Sequence, residues 1–329
     1  MVNSARYSRR HFVGTLSMAA AALAMPRLSM AQAATKRLAG VFPIAFTPVR
    51  SDNVVDFDGL VAQLQFCQRG GVHGLAWPQI ASGWTTLSEQ ERLQGAEALC
   101  SAARGGKTSL VIGVQSRTGD FKETERYAVH AEKFGATAVI CIPPPGLTAP
   151  GDILGYYQKL GQATSLPLFA QTGGDFSVDL LVEMFKTIPS FRYVKDEAGN
   201  PLERVAEIRK RTDDQLKCFS GKGVTTMVTE MERGFAGHCP YVSLADLYAS
   251  SYDLFHAGKV QAAFDQFGRI QAASSMLTQS DMSIPIARGI FRPGTTKRGT
   301  PGGNGPRNGP TTNEIKQILD KYLKSFLKA

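Results

Sequence analysis

The chain has 329 residues, of which 43% are hydrophobic and 20% charged, with 33 glycines and 17 prolines. That balance excludes a fibrous or disordered protein and is enough for one large α/β domain or two small ones. The formal charge of +9 suits anionic small molecules but makes no case for nucleic acid, which calls for a clustered basic face.

The first stretch is a targeting pattern. Ser8-Arg9-Arg10-His11-Phe12 is a twin-arginine motif, and an alanine-rich apolar run from Val13 to Met25 follows it. The run is too short to span a bilayer as a stable helix, and Ala31-Gln32-Ala33 supplies a small-x-small cleavage pattern. Residues 1–33 therefore resemble a bacterial twin-arginine signal, with general secretion as the alternative route. The mature protein is expected to begin near Ala34 and to work in the periplasm. No cysteine precedes Cys67, so no stable membrane anchor is expected there. Removal of Arg6, Arg9, Arg10 and Arg27, with no acid, lowers the formal charge to +5.

Beyond the leader, strand and helix patterns alternate without a linker. Val41–Phe46 is a predicted strand ended by Thr47-Pro48. Phe57, Leu60, Val61 and Leu64 then give a helical stripe that stops at Gly70-Gly71. Gly74–Trp77 is the second strand. Ser88 and Glu91 form a capping box for a helix that turns Leu93, Ala96 and Cys100 inward. Leu110–Val114 is the third strand, and Asp120 with Glu123 opens a helix that stops at Gly135. Ala138–Ile142 and Leu168–Gln171 are strands four and five, each followed by a helix. Tyr193–Lys195 closes strand six, and Leu216–Ser220 and Phe235–Cys239 are strands seven and eight. Eight strands alternating with helices predict a (β/α)8 TIM barrel over 34–245. An open doubly wound sheet would place a glycine-rich phosphate loop where Thr47-Pro48-Val49 stands. Residues 246–329 read as a helical extension. It contains a Gly/Pro-rich loop at 292–310, and its last helix carries Ile315, Ile318, Leu319, Tyr322 and Phe326 on one face.

The chemistry concentrates in Phe191–Asn200. Strand alternation puts Phe191, Tyr193 and Lys195 on one face. A lysine among aromatic rings is costly to bury charged, and a neutral amine can attack a ketone to form a Schiff base. The plain alternative is a surface ion pair with Asp196 or Glu197. In such barrels the chemistry sits at the C-terminal strand ends, where Lys195 falls. The five cysteines and the scattered histidines show no metal-binding spacing, so neither metal nor cofactor is expected.

Thr47-Pro48, Gly71-Val72-His73-Gly74, Thr86-Leu87-Ser88-x-x-Glu91-Arg92 and Tyr193-Val194-Lys195-Asp196 together resemble the dihydrodipicolinate synthase and N-acetylneuraminate lyase family, from about Leu38 to the C-terminus. The resemblance implies a class I aldolase-type barrel in which Lys195 forms a Schiff base with pyruvate or another 2-keto acid. It also implies a homo-oligomer, a dimer or a tetramer built from dimers. The chain departs from the family at its carboxylate loop, at its relay tyrosine and at the arginine that often follows it, where Thr172-Gly173-Gly174-Asp175 is a shorter loop. The loop that holds the keto-acid carboxylate through two threonines reads Gln79-Ile80-Ala81-Ser82-Gly83 here, leaving Ser82 and the backbone near Gly83 as donors. The proton-relaying tyrosine at the end of strand five is Gln171, an amide that does not titrate. Dihydrodipicolinate synthesis itself is therefore not the expected activity, and a binder that has lost turnover is the competing class. Gly221, in Gly221-Lys222-Gly223, resembles the turn that admits family substrates to the backbone, with a simple tight turn as the alternative. Tyr193 is weighed as a replacement relay against simple barrel packing. Trp77 and Trp84 are read as core or as pocket lining.

Overall fold

Ten short strands, eleven α-helices and three 3-10 turns form the regular structure in the described part of the computed structural model, which covers residues 37–50, 52–173, 176–278, 282–298 and 311–324. The expected leader over 1–33 lies outside the described residues. In chain order the strands are β1 (Gly40–Val41), β2 (Pro48–Val49), β3 (Gly74–Trp77), β4 (Ser109–Gly113), β5 (Ala138–Cys141), β6 (Leu168–Gln171), β7 (Phe191–Asp196), β8 (Lys217–Ser220), β9 (Gly237–His238) and β10 (Thr296–Lys297). Eight of them pair in parallel in the order β1-β9-β8-β7-β6-β5-β4-β3. The ring closes through Ile44, which bridges Ala76 on one side and Tyr241 on the other. This is a TIM barrel with a C-terminal helical part. The first strand is shorter than the Val41–Phe46 expectation because Pro43 has no N–H to donate, so the ladder resumes only as single bonds such as Ala45 N–H to the Ala76 carbonyl at 3.0 Å.

The helices follow their caps. α1 (Phe57–Arg69) is capped by Asp56, and α2 (Glu89–Ala103) by the reciprocal Ser88–Glu91 box. Each such cap contributes about 1 kcal/mol. α3 (Phe121–Phe134) is capped by Asp120 alone. Glu123 instead turns back to accept from Ser116 Oγ at 2.7 Å and the Arg117 amide at 3.0 Å. α4 (Pro150–Ala163), α5 (Val178–Thr187) and α6 (Pro201–Arg211) continue the alternation, and α7 (Met227–Glu232) precedes β9. α8 (Ala245–His256), α9 (Val260–Met276), α10 (Ser283–Ala287) and α11 (Thr312–Leu323) form the extension. On α11, Ile315, Leu319 and Leu323 are buried, and Ile318 and Tyr322 pack beside them. Phe326 lies outside the described residues.

The barrel has two apolar compartments, one between strands and helices and one inside the ring. The inner one is plugged by aromatics: Phe169 stacks on Tyr193 at 4.4 Å, and Phe219 meets Phe169 edge-on at 5.1 Å. Gly237 is needed for this plug, because a Cβ there would come within 2.2 Å of the Phe219 ring. Phe191 does not share the inner face with Tyr193. The β6–β7 register pairs Leu168 with Phe191 but Phe169 with Tyr193, so a bulge breaks the alternation and sends Phe191 to the helix side.

The described start of the Gly/Pro-rich loop, residues 292–298, includes a paired strand that its composition does not predict. Residues 299–310 lie outside the description, but β10 just before them pairs antiparallel with β2. Arg298 donates its amide to the Thr47 carbonyl at 2.9 Å, and its guanidinium to Glu91 at 2.5 Å and to the Asn53 carbonyl at 3.0 Å. The segment therefore straps the extension to the loop after the first strand.

Candidate active site

The C-terminal ends of β6, β7 and β8 bring Gln171, Lys195 and the turn after Ser220 side by side, because β7 pairs with both neighbours. They open into a mouth of about 320 Å³. Gln171, Lys195, Glu197, Lys222 and Gly223 line one side of it, and Ile44, Gln79, Ile80, Ala81, Cys239, Pro240 and Tyr241 the other. A larger hollow, about 440 Å³, lies between the start of α1 and residues 290–295. It holds Arg50, Asp56, Asp58 and Arg292 but no nucleophile at a strand end, so the barrel mouth is the candidate site.

Lys195 is only 5% exposed, and its Nζ lies 3.4 Å from Glu197 Oε1. The lysine is paired with Glu197, as the plainer reading has it, but inside the mouth rather than on the surface. The carboxylate is tightly placed. Its Oε2 accepts from Gln171 Nε2 at 2.6 Å, and its Oε1 accepts from the Lys222 amide at 3.0 Å. Lys222 adopts a left-handed φ of 50° in presenting that amide. Gly221 leaves the space the carboxylate fills, since a Cβ there would lie 2.0 Å from Glu197 Oε1 and 2.9 Å from Lys195 Cε.

The backbone of Glu197 is fixed from behind. Thr172 Oγ1 accepts from the Glu197 amide at 2.7 Å and the Ala198 amide at 3.1 Å, and donates to Asp196 Oδ1 at 2.9 Å. Asp196 is fully buried on the helix side and takes a two-pronged bond from Arg204 of α6, at 2.8 and 3.2 Å. Charge-assisted forks of this kind fix geometry as well as contribute energy. Lys195, Asp196 and Glu197 therefore alternate, with the lysine and glutamate facing the mouth and the aspartate locking the strand end to its helix.

The other candidates fare differently. Gln171 and Gly221 are at the site, Gln171 as a donor to Glu197 with its own Oε1 buried and unpartnered, and Gly221 as the space beneath the carboxylate. Ser82 is not available to a substrate. It is fully buried, donates its only proton to the Ala45 carbonyl at 2.5 Å and accepts from the Gln79 amide at 3.0 Å. Gly83 shapes the same turn in a left-handed conformation, and its amide is bonded to the Ile80 carbonyl. Tyr193 is displaced from the substrate role as well: its phenol accepts from the Leu38 amide at 2.9 Å, at the opposite end of the barrel, so it packs the plug below the lysine. Trp77 is fully buried and donates to Thr47 Oγ1 at 2.9 Å, and Trp84 is buried beside Arg92, so both are core. The five cysteines are free and buried. Burial pushes the Cys239 thiol, in the wall of the mouth, up to about 12.

The sequence offers Glu197 only as a surface ion-pair partner and Gln79 only as the start of the altered loop, whereas both line the mouth. Glu197 carries a signal nonetheless, since two residues beyond an inward lysine the same face recurs. Gln79 is buried, with Nε2 bonded to the Pro78 carbonyl at 2.9 Å and to Gln115 Oε1 at 3.3 Å, while its Oε1 is unpartnered.

Comparison with known proteins agrees with this architecture. The chain is 24% identical over 300 residues to a 4-hydroxy-tetrahydrodipicolinate synthase of Methanococcoides burtonii, covering 87% of this chain and 98% of that one. It is 28% identical over 201 residues to the protein of the same name in Methanosarcina mazei, a match spanning 58% of this chain and 66% of that one. Among solved structures, a Ruminococcus gnavus sialic acid aldolase superposes with a TM-score of 0.75 at 18% identity, covering 88% of this chain and 99% of that one. A dihydrodipicolinate synthase from Rhodopseudomonas palustris superposes at 0.71 with 21% identity, covering 88% and 97%. At those identities the two structures establish a shared fold. The model of the Dihydrodipicolinate synthetase family matches residues 37–324, and with an inward lysine at the sixth barrel strand the chain belongs to that family.

Proposed function

We propose that this protein is a lyase or aldolase-type enzyme that acts on a pyruvate-like 2-keto acid through a Schiff base at Lys195. The observation that carries the reading is the placement of the Lys195 amine, buried at the open end of the barrel and 3.4 Å from a carboxylate that can accept its proton. A neutral amine at that position attacks the ketone, loses water to give an imine, and uses the imine as an electron sink. Aldol addition, aldol cleavage and dehydration share that intermediate. The named relatives favour dihydrodipicolinate synthesis. Against it stands Gln171, whose amide does not titrate where the family's tyrosine relays protons. The same residue keeps a second reading in play, a 2-keto-acid binder without turnover.

Borohydride reduction in the presence of pyruvate, followed by intact mass and peptide mapping, tests the reading. A covalent adduct on Lys195 is expected, and its absence across a panel of 2-keto acids would remove the enzyme reading. An adduct without turnover of any aldehyde partner would favour the binder. We further propose that the protein works as a homo-oligomer in the periplasm, reached through the twin-arginine-type leader.

A further inference from the structure

We propose that Glu197 is the acid–base group of this site, moving the protons that imine formation at Lys195 requires; the inference rests on the Schiff-base reading above. Glu197 Oε1 lies 3.4 Å from the reacting nitrogen, within direct reach once substrate draws the amine forward. Three independent features aim it there: the Gln171 amide at 2.6 Å, the Lys222 N–H at 3.0 Å, and the space left by Gly221. A carboxylate present only to balance the lysine charge would not need a glutamine and a left-handed backbone amide to orient it.

Two neighbouring hydroxyls are occupied elsewhere, which leaves the Tyr241 phenol, in the opposite wall of the mouth, as the rival that the test must exclude. The Ser82 proton is spent on the Ala45 carbonyl, and the Tyr193 phenol is bonded to Leu38 at the far end of the plug. Gln171 stands at the relay position of the family and holds the carboxylate instead of titrating. The role has therefore passed from strand five to the residue two beyond the lysine.

The proton inventory closes with one carboxylate. Lys195 as an ammonium gives a proton to Glu197, leaving a neutral amine and a carboxylic acid. The nitrogen lone pair forms the bond to C2 of the keto acid, the carbonyl π pair moves to oxygen, and Glu197 protonates that oxygen. The carboxylate then takes a second proton from nitrogen and delivers it to the hydroxyl. Water leaves as the nitrogen lone pair forms the C=N bond. The products are one water, a protonated imine and Glu197 again as a carboxylate beside the new cation. From there the same group removes a C3 proton to give the neutral enamine.

The test uses the full chain with pyruvate as the probe, and compares wild type, Lys195→Ala, Glu197→Gln, Glu197→Ala and Tyr241→Phe. Two rates are read: appearance of the borohydride-trappable adduct by mass, and loss of the C3 hydrogens of pyruvate into D2O by NMR. Glu197→Gln is expected to reach the adduct at long times but to slow both rates by about 10²-fold or more. Formate added to Glu197→Ala is expected to restore part of the loss, which a merely structural role would not allow. No adduct in wild type would remove the Schiff-base reading and this inference with it. An adduct in wild type that forms equally fast in Glu197→Gln would overturn this inference alone. Loss of exchange in Tyr241→Phe with Glu197→Gln unaffected would transfer the role to that phenol and overturn it too. Should Glu197→Gln not fold, Glu197→Asp and Glu197→Asn ask the same question one methylene shorter, and equal rates in that pair would overturn the proposal.

Discussion

Replacing Gly221 with alanine separates the packing of this site from its chemistry. The added Cβ would sit 2.0 Å from Glu197 Oε1, against about 3.4 Å for ordinary contact, so the carboxylate must retreat by about 1.4 Å. The atom displaced is the far end of a flexible side chain, and Gly221 is not in the left-handed region, so the backbone accepts the methyl group. The folding cost is then small. A gain of about 0.4–1 kcal/mol from a stiffer unfolded chain offsets part of the lost bonds, and the net change should stay within about 2 kcal/mol. The site is affected far more, because the Lys222 amide bond at 3.0 Å and the Gln171 bond at 2.6 Å cannot both survive that movement. A misplacement on the order of 1 Å costs about 10²-fold in rate. The assay is the rate of borohydride-trappable adduct with pyruvate beside a urea unfolding curve. Adduct formation at the wild-type rate in a folded Gly221→Ala protein would refute the claim that this glycine exists to seat Glu197.

Tyr193→Phe removes the partner of the Leu38 amide inside the barrel. It should cost about 1–2 kcal/mol in urea unfolding while leaving the adduct rate within twofold, and a large rate loss would restore Tyr193 to the chemistry. Glu123 is pushed up by burial but held down to about 2 on balance by hydrogen bonds from Ser116, Tyr127 and Thr118. A depressed carboxyl stabilises the fold above its ordinary value near 4.5 and loses that contribution as pH falls toward 2. After allowance for solvent screening the contribution is about 1–2 kcal/mol. The Tm gap between wild type and Glu123→Gln should therefore close between pH 5 and pH 2, and a gap independent of pH would refute the assignment. Exchanging Arg9 and Arg10 together for lysine should hold the precursor in the cytoplasm by cell fractionation. Continued export would assign the leader to general secretion.

Much of the barrel was legible because its strands are short apolar runs between caps and glycine stops, and the Ser88–Glu91 box formed as the sequence implied. Lys195 was legible for the same reason, since its strand and its position at the strand end are local facts. What sequence could not supply was convergence. Gln171, Glu197 and Gly221 follow one another at gaps of 26 and 24 residues, and only the pairing of β6, β7 and β8 brings them together. Ser82 misled because its partner, the Ala45 carbonyl, lies 37 residues away, so the hydroxyl looked unspent. Phe191 misled because a bulge leaves no mark on an alternating pattern.

The strap formed by β10 and Arg298 bears on the order in which the protein can be made. Arg298 bonds to the Asn53 carbonyl across 245 residues, and the Tyr193–Leu38 bond spans 155. A chain emerging from the ribosome therefore exposes its first barrel strand long before the residues that secure it exist. Contacts this distant in sequence close late and slowly. The loop after the first strand must wait for nearly the whole polypeptide, so the nascent barrel spends most of its synthesis without its strap. That interval is where chaperone dependence and aggregation should concentrate. Transport in the folded state, as proposed for the leader, would be open only to a finished chain.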